Sequence, residues 1–126
     1  MRSGSGLKIL YVENDMAFIN GVAERFLAGH EVAAAPSLRA ARMILDRPWD
    51  VILVDYDLDD GKGDTLVREL RAAGDATIVI GVSARATGNR NILIAGADAV
   101  CAKADIEHIS EMIEQIGSEK EALCGG

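Results

Sequence analysis

Five short apolar runs alternate with longer segments of helical pattern along this chain of 126 residues. The runs begin at Leu7, His30, Asp50, Ala76 and Asp98 and read LKILYV, HEVAAA, DVILVD, ATIVIGV and DAVCAK. Because the first, third and fourth runs are apolar almost throughout, they are typical of strands that helices cover on both faces. The alternation predicts an α/β fold, a doubly wound five-stranded parallel sheet built from five βα units.

The segments between the runs contain residues that commonly begin or end helices. Asp15 is a candidate to cap a helix that Gly29 stops, and Ser37 to cap one that ends at Pro48. Asp105 is the cap candidate for the last helix. The apolar residues of that helix recur at spacings of three and four, which predicts one face packed on the sheet; they are Ile106, Ile109, Ile113 and Ile116.

Length and composition predict one domain with an aliphatic core. A chain of this length buries roughly two thirds of its unfolded surface around a single core. Apolar residues make up 49% of the sequence and aromatic residues only 4%, so Val, Ile, Leu and Ala must fill that core. We expect the domain to span residues 7–117, with residues 1–6 and 118–126 as flexible ends.

Charge and cysteine content exclude several classes of function. The formal net charge of −7 repels phosphate backbones, so direct nucleic-acid binding is not expected. No apolar run approaches the ~20 residues that a membrane span requires. Cys101 lies in an apolar strand and Cys124 near the end of the chain, contexts too different to predict a disulfide. These features predict a cytoplasmic protein with a free, buried Cys101.

The ends of the predicted strands carry the candidate functional residues. They are Glu13, Asn14 and Asp15 after the first strand, Asp55 and Asp57 at the third, Ser83 at the fourth and Lys103 at the fifth. Open parallel sheets bind ligands outside the carboxyl ends of their strands. Carboxylates that converge there repel one another, and Mg²⁺ is the cation suited to such oxygen ligands. Lys103 adds a positive charge and Ser83 a hydroxyl donor.

In this order and spacing, these residues resemble the receiver domain family of response regulators, the proteins of two-component signalling. The segment AGADAVCAK is similar to the family's Gly-Ala-containing approach to its Lys, and the likeness covers roughly residues 7–116. The resemblance implies a chemotaxis-Y-like fold with the flavodoxin-like strand order 2-1-3-4-5. It also implies two partners: a sensor histidine kinase or histidine phosphotransfer protein, and a downstream protein.

The same resemblance implies a role for each residue. Asp55 would accept a phosphoryl group, and Ser83 and Lys103 would contact that phosphate. Mg²⁺ would be held by the side chains of Glu13, Asn14 and Asp55 and by the backbone carbonyl of Asp57. Such a domain takes part in its own Mg²⁺-dependent phosphoryl transfer and is not a turnover enzyme.

Four positions depart from the family's pattern. Asn14 stands where a metal-binding Asp is usual, which removes one formal charge and weakens the expected Mg²⁺ affinity. Asp59 and Ala104 replace prolines, so the loop that carries Lys103 is expected to differ in shape. Val100 replaces a switching Tyr or Phe. Any coupling from the site to the surface of the fourth helix and fifth strand would therefore run without an aromatic rotamer at this position.

Several other residues have weaker implications. Asp57 and Arg85 each lie two residues past a key position, at sites that bias dephosphorylation in this family, and the sequence leaves the direction open. Gly81 before Ser83 and the Gly-Asn pair at residues 88–89 are compatible with a permissive, mobile fourth loop and, equally well, with ordinary turns. His30 and His108 have no ligand spacing, and we expect both to be solvated.

Three functions are compatible with these residues. The first is a stand-alone receiver domain phosphorylated on Asp55, and the second is an unphosphorylated pseudo-receiver that acts as an interaction module, as Asn14 suggests. The third is a phosphatase of the haloacid dehalogenase class, because VDYDLDDG contains an Asp-x-Asp motif at a strand end. Against the third, that motif normally ends the first strand, and no acidic pair at the end of a later strand follows Lys103. The sequence does not identify the kinase, the target, the phosphate lifetime or the oligomeric state.

Overall fold

A computed structural model describes residues 6–125, with side chains through residue 122, and its centre is a five-stranded parallel sheet. The sheet strands are β1 (Lys8–Val12), β2 (Glu31–Ala35), β3 (Val51–Val54), β6 (Ile78–Ser83) and β7 (Ala99–Ala102), in the spatial order β2-β1-β3-β6-β7. Strands β4 (Asp57–Leu58) and β5 (Gly61–Lys62) form a separate antiparallel hairpin. Without the hairpin the order reads 2-1-3-4-5, which confirms the predicted fold class and strand order.

In residues 6–125, five α-helices and one 3₁₀ helix cover the two faces of the sheet. The α-helices are α1 (Met16–Phe26), α2 (Leu38–Arg42), α3 (Gly63–Ala72), α4 (Ala86–Ala95) and α5 (Ile109–Gly125), and the 3₁₀ helix is Lys103–His108. Helices α1 and α5 pack on one face, and α2, α3 and α4 pack on the other. This covering on both sides explains why β1, β3 and β6 are apolar along most of their length.

The two faces of the sheet are the centres of two aliphatic clusters. Successive residues of β1, Ile9 and Leu10, belong to different clusters, because side chains alternate along a strand. The last helical segment contributes its predicted apolar face to the first cluster. All four isoleucines of that face are buried: Ile106, Ile109, Ile113 and Ile116.

Two of the predicted helix caps are confirmed. Asp15 and Ser37 each accept a hydrogen bond from the backbone N–H three residues ahead. The prediction that the second helix ends at Pro48 is wrong, because α2 ends at Arg42 and hydrogen bonds spaced three residues apart form turns after it.

The C-terminal part of the chain requires two corrections. Asp105 is not an N-cap, because it lies inside the 3₁₀ helix with φ −108° and ψ 19°, and α5 begins only at Ile109. Residues 118–125, predicted as part of a flexible end, continue α5 as a helix. The segment SEKEAL within them is rich in strong helix formers, and the Lys120 ammonium donates to the Ala76 carbonyl at 2.7 Å.

Cys101 is free and buried, as predicted. The Cys124 side chain and the predicted flexible residues 1–5 and 126 lie outside the described residues. Among the helices within residues 6–125, none has the length and apolar content that crossing a bilayer requires.

The two histidines differ in environment. His30 is partly buried, and its Nδ1 accepts the Leu7 N–H at 2.9 Å. The prediction that it is solvated is therefore wrong. The hydrogen bond fixes the start of β1 against the turn before β2. His108 is exposed, as expected.

Arg71 of α3 joins several elements at the edge of the sheet opposite the carboxyl ends of the strands. Its guanidinium donates at 2.7–3.1 Å to the carbonyls of Gly96, Asp75 and Thr77 and to the carboxylate of Asp98. Gly96 directly follows α4, and the Asp98 carboxylate also accepts a backbone N–H of β6. The C-terminal end of α4 is therefore fixed to α3 and, through the Asp98 carboxylate, to the start of β6.

Candidate functional site

Three strand ends bring two acidic residues and one basic residue together at the carboxyl edge of the sheet. Glu13 follows β1, Asp55 follows β3 and Lys103 follows β7. The Asp55 N–H donates to the Val12 carbonyl at 2.9 Å, so the β1–β3 ladder extends to Asp55 itself. Glu13 is 1% exposed and Asp55 4% exposed. Both carboxylates therefore lie where water screens their charges poorly.

Lys103 is the cation that faces both carboxylates. Its Nζ lies 2.6 Å from Glu13 Oε1 and 3.4 Å from Asp55 Oδ2, and it sits 5.1 Å from the centre of the Phe18 ring. Burial acts to lower the pKa of Lys103, but the hydrogen bond to Glu13 and the charges of both carboxylates outweigh burial and raise it. Lys103 is therefore held as a cation.

Asp55 is an acidic group in an unfavourable environment for its charge. Burial raises its pKa, and the negative charge of Glu13 raises it further. The ammonium of Lys103 and the Tyr56 N–H, which donates to Asp55 Oδ1 at 2.8 Å, offset only part of that increase. The site therefore favours added positive charge next to Asp55.

The start of α3 lies directly against the backbone of Asp55. A methyl group at Gly63 would collide with the Asp55 carbonyl oxygen, and the Gly63 N–H donates to the Tyr56 carbonyl at 2.8 Å. Only glycine permits this approach, because it has no Cβ. The contact holds the backbone after β3 in one position and so fixes where the Asp55 carboxylate lies.

The residues predicted to hold Mg²⁺ offer hard oxygen donors, which suit that ion. Glu13 Oε2 accepts the Asp15 N–H at 3.0 Å, and the Asn14 amide donates to Asp59 Oδ1 at 3.2 Å. Within residues 6–125, no group of three or more His, Cys, Asp or Glu side chains is arranged to hold a metal. The Glu13 and Asp55 carboxylates, the Asn14 amide oxygen and the Asp57 carbonyl are nevertheless the type of donor that Mg²⁺ prefers. They supply less negative charge than three carboxylates would.

The Asp57 carboxylate does not join the buried cluster. It binds Lys62 of β5 at 2.6 Å and the Arg85 guanidinium through both oxygens, at 2.7 and 3.1 Å. These two cations lower the pKa of Asp57. The pairs connect the hairpin to the loop between β6 and α4 along an exposed rim beside Asp55.

Ser83 is buried at the end of β6 and faces α4. Its Oγ accepts the Arg85 N–H at 3.1 Å, which leaves the hydroxyl proton available to another acceptor. The Asn89 amide donates to the Cys101 carbonyl at 3.0 Å and is 3.5 Å from the Ser83 carbonyl. The structure therefore places Ser83 at the same edge as Asp55 but directs it toward α4.

The expectation of a mobile fourth loop or a turn at residues 88–89 is wrong. Gly88 and Asn89 are buried in α4, and the Asn89 side chain bonds the carbonyls at the ends of β6 and β7. The polar identity of Asn89 suggested a turn, but the carbonyls that its amide reaches belong to distant strands. No local pattern contains that information.

Sequence reasoning missed Tyr56 and Asn91. The Tyr56 hydroxyl accepts a hydrogen bond from the Asn91 side chain of α4 at 3.0 Å, and its ring lies beside the cationic groups of Lys62 and Arg85. The available signal was composition: aromatic residues form only 4% of the chain, and one of them directly follows Asp55.

The other three residues that depart from the family's pattern, Val100, Ala104 and Asp59, lie in ordinary structural positions. Val100 is partly buried and packs against the second aliphatic cluster. Ala104 lies in the 3₁₀ helix that begins at Lys103, and Asp59 is exposed in the hairpin turn. None of the three contributes an aromatic ring or a proline ring to the site.

Residues 9–114 match the model of the response regulator receiver domain. Comparison with curated proteins gives no significant match.

Solved structures share the fold at low sequence identity. The receiver domain of the Francisella response regulator 1452 is 21% identical, with a TM-score of 0.80 over 91% of this chain and 99% of that one. A CheY-like receiver domain protein from Methanospirillum hungatei JF-1 is 24% identical, with a TM-score of 0.74 over 91% and 99%. The chemotaxis response regulator CheY4 of Vibrio cholerae is 19% identical, with a TM-score of 0.76 over 89% and 99%. At these identities the likeness establishes the fold.

Proposed function

The chain belongs to the response regulator receiver domain family, and on this premise we propose that Asp55 accepts a phosphoryl group and that the phosphorylated domain signals through contacts with other proteins. The observation that carries the proposal is the cluster of two buried carboxylates, Glu13 and Asp55, with the partly buried ammonium of Lys103. A buried carboxylate with a raised pKa and a cation 3.4 Å away is arranged for electrostatic stabilisation of an incoming phosphoryl group.

In the proposed reaction, a carboxylate oxygen of Asp55 forms a bond to the phosphorus of a phosphohistidine or a small phosphodonor. The bond from phosphorus to the donor breaks, and the leaving group keeps its electron pair. The Lys103 ammonium neutralises part of the charge on the transferring group. Glu13 in turn holds that ammonium in place at 2.6 Å.

The phosphorylated state adds about −1.5 to −2 charges at Asp55. Lys103 and the free hydroxyl proton of Ser83 are the groups of this chain that would stabilise that charge. Mg²⁺, held by Glu13, Asn14, Asp55 and the Asp57 carbonyl, would supply further positive charge to the phosphoryl oxygens.

Uptake of phosphate from acetyl phosphate tests the proposal. With Mg²⁺ at saturation, intact-mass measurement should show one phosphoryl group on the wild-type protein and none on Asp55→Asn. Asp46→Asn, which makes the same change at an exposed turn, should keep the full increment. A folded wild-type protein without any phosphoryl increment would rule out the proposal.

The second candidate is a pseudo-receiver that is not phosphorylated. Asn14 favours it, because this neutral side chain occupies a position where the family usually supplies a negative charge. Its amide donates to Asp59. Beryllofluoride with Mg²⁺ distinguishes the two candidates. Clear chemical-shift changes at Asp55 and Ser83 would exclude the pseudo-receiver.

The phosphatase alternative rested on the Asp-x-Asp motif, and the surroundings of Asp57 argue against it. The Asp57 carboxylate is paired with Lys62 and Arg85, and these cations lower its pKa, so it is a poor proton donor. The second carboxylate of the motif is therefore unsuited to protonate a leaving group.

The proposed function requires two kinds of protein partner. A sensor histidine kinase or a histidine phosphotransfer protein would donate the phosphoryl group, and a downstream protein would recognise the phosphorylated domain. A cytoplasmic location stays a prediction, in keeping with the free Cys101.

A further inference from the structure

Tyr56 makes contacts that link the proposed acceptor to helix α4. It directly follows Asp55, and its N–H donates to Asp55 Oδ1 at 2.8 Å. Its carbonyl accepts the Gly63 N–H at 2.8 Å. The Tyr56 backbone is thus bound on one side to the acceptor carboxylate and on the other to the start of α3.

The side chain of Tyr56 reaches across to α4, which it meets at Gly88 and Asn91. Its hydroxyl accepts a hydrogen bond from Asn91 Nδ2 at 3.0 Å. A methyl group at Gly88 would lie 2.9 Å from Tyr56 Cβ and 2.7 Å from Ser83 Oγ. The absence of a side chain at Gly88 therefore lets α4 contact both the aromatic ring and the hydroxyl of Ser83.

Two cations hold the ring from the rim. Lys62 Nζ lies 5.3 Å and the Arg85 guanidinium 5.8 Å from the ring centre, and both cations also bind the Asp57 carboxylate. The hairpin, the loop before α4 and α4 itself consequently meet at one side chain beside Asp55.

We propose that Tyr56 is the residue that couples the charge state of Asp55 to helix α4, through its hydroxyl bond to Asn91 and its ring contact at Gly88. This inference rests on the proposed phosphorylation for its biological use. Its physical content, a coupling between Asp55 and α4, can be measured without a phosphoryl group.

The coupling has a direct electrostatic origin. Added negative charge at Asp55 attracts the two cations that flank the ring and repels nothing on α4 itself. When Lys62 or Arg85 turns toward the new charge, the ring loses contacts that fix its position. The bond to Asn91 then weakens, and α4 loses a restraint near its middle. Val100 offers no competing aromatic route, because it is a partly buried aliphatic side chain.

Hydrogen exchange of the α4 amides in the whole protein, with and without Mg²⁺ and beryllofluoride, tests the coupling. In the wild-type protein we expect the probe to raise exchange of the amides of residues 88–92 by about fivefold, the effect of losing one hydrogen bond of typical strength. In Tyr56→Phe these amides should exchange faster from the start and respond little to the probe, while the shifts at Asp55 and Lys103 persist.

The chain contains a matched control. Tyr11 is fully buried in β1, and its hydroxyl has no hydrogen-bond partner among the described residues. Tyr11→Phe removes the same atom away from α4, so the response of α4 to beryllofluoride should match the wild type. A purely structural role of Tyr56 would speed exchange equally with and without the probe, and that result would overturn the proposal.

A second measurement separates this inference from the proposed function. Asp55→Asn removes the acceptor charge without any ligand, and its effect on α4 exchange is compared in the wild-type and Tyr56→Phe backgrounds. If beryllofluoride fails to bind, the proposed function fails, and this double-mutant comparison alone decides the coupling. Equal effects of Asp55→Asn in both backgrounds would refute the coupling; a loss of the effect in Tyr56→Phe would support it.

Discussion

Asp55 and Asp57 lie two residues apart in the sequence and occupy opposite electrostatic environments. Asp55 is buried next to a second carboxylate, and its pKa is raised by burial and by Glu13. Asp57 lies on the rim with its side chain 43% exposed, and there Lys62 and Arg85 lower its pKa. The negative charge of an aspartate is therefore destabilised by its surroundings at position 55 and stabilised by them at position 57.

The difference shows how the fold assigns chemistry to one of two similar residues. Asp55 directly follows the central strand β3, where helices on both sides exclude water, while Asp57 begins the β4–β5 hairpin and is only partly buried. A buried carboxylate with incomplete compensation gains most from a cation or from covalent modification. An exposed carboxylate with two cationic partners gains little from either.

Removing the partly buried cation, Lys103, should destabilise the protein more than removing a cation from the rim. Lys103→Met leaves Glu13 and Asp55 without their shared partner, and we expect the free energy of unfolding to fall by about 3 kcal/mol. Urea denaturation at pH 7 without Mg²⁺, followed by circular dichroism, measures it. Lys62→Met removes a cation from the exposed rim and should cost less than about 1 kcal/mol. Equal losses would contradict the contrast between the two regions.

Placing a third carboxylate at position 14 should raise the affinity of the Asp55 site for Mg²⁺. Asn14→Asp adds a charge next to the proposed Mg²⁺ donors, and we expect Mg²⁺ to bind about tenfold more tightly, a gain of about 1.4 kcal/mol. Calorimetric titration measures this affinity. Asn20→Asp makes the same change at an exposed position of α1 and should leave the affinity near the wild-type value. An unchanged affinity in Asn14→Asp would place Asn14 outside the ion's reach.

Neutralising the buried carboxylate should stabilise the protein. In the absence of Mg²⁺ we expect Asp55→Asn to raise the free energy of unfolding at pH 7 by about 1 kcal/mol, a typical single-site effect. Because the folded state raises the pKa of Asp55 above 3.8, the wild type loses stability as pH rises from that value through the raised pKa. Thermal melts from pH 3.5 to pH 7 should therefore show the two proteins diverging as pH rises. If the stabilities of the two proteins instead converged as pH rises, the raised pKa of Asp55 would be contradicted.

Neutralising the rim carboxylate should have a smaller effect of opposite sign. Asp57→Asn removes exposed ion pairs, and we expect a loss of less than about 1 kcal/mol that shrinks further in about 1 M salt. Because the folded state lowers the pKa of Asp57, its contribution is present above 3.8 and disappears as pH falls through the lowered pKa. Paired melts of Asp57→Asn and wild type at low and high salt test this; a salt-independent loss would not fit.

The five-stranded sheet followed from the sequence because each sheet strand is a continuous or near-continuous apolar run, whereas the strand order came from the resemblance to receiver domains. The four-isoleucine face was predicted for the same reason, since its spacing repeats over three turns. The hairpin β4–β5 was not predicted, because two residues per strand are too few to show a period. The extension of α5 past residue 117 was missed because a polar helix end and a polar tail have similar composition.

The candidate site was predictable in position but not in its internal contacts. Strand ends placed Glu13, Asp55 and Lys103 at one edge, and the structure brings these three into contact. Which carboxylate is paired, and with what, depends on side chains from elements far apart in sequence. The Arg85 partner of Asp57 lies 28 residues away, and the Asn91 partner of Tyr56 lies 35 away. No local pattern encodes such distances.

The Arg71 contacts give helix α4 a mechanical property. Arg71 of α3 binds the Gly96 carbonyl and the Asp98 carboxylate, and Asp98 in turn accepts a backbone N–H of β6, so the C-terminal end of α4 acts as a pivot. The first turn, near Gly88, is the moving end of a lever about 12 Å long, at 1.5 Å per residue. A displacement of about 1 Å at that end tilts the helix by about 5°. Any signal that leaves Asp55 through α4 would thus be a change in helix angle, whose displacement is largest at the first turn and smallest at the fixed end.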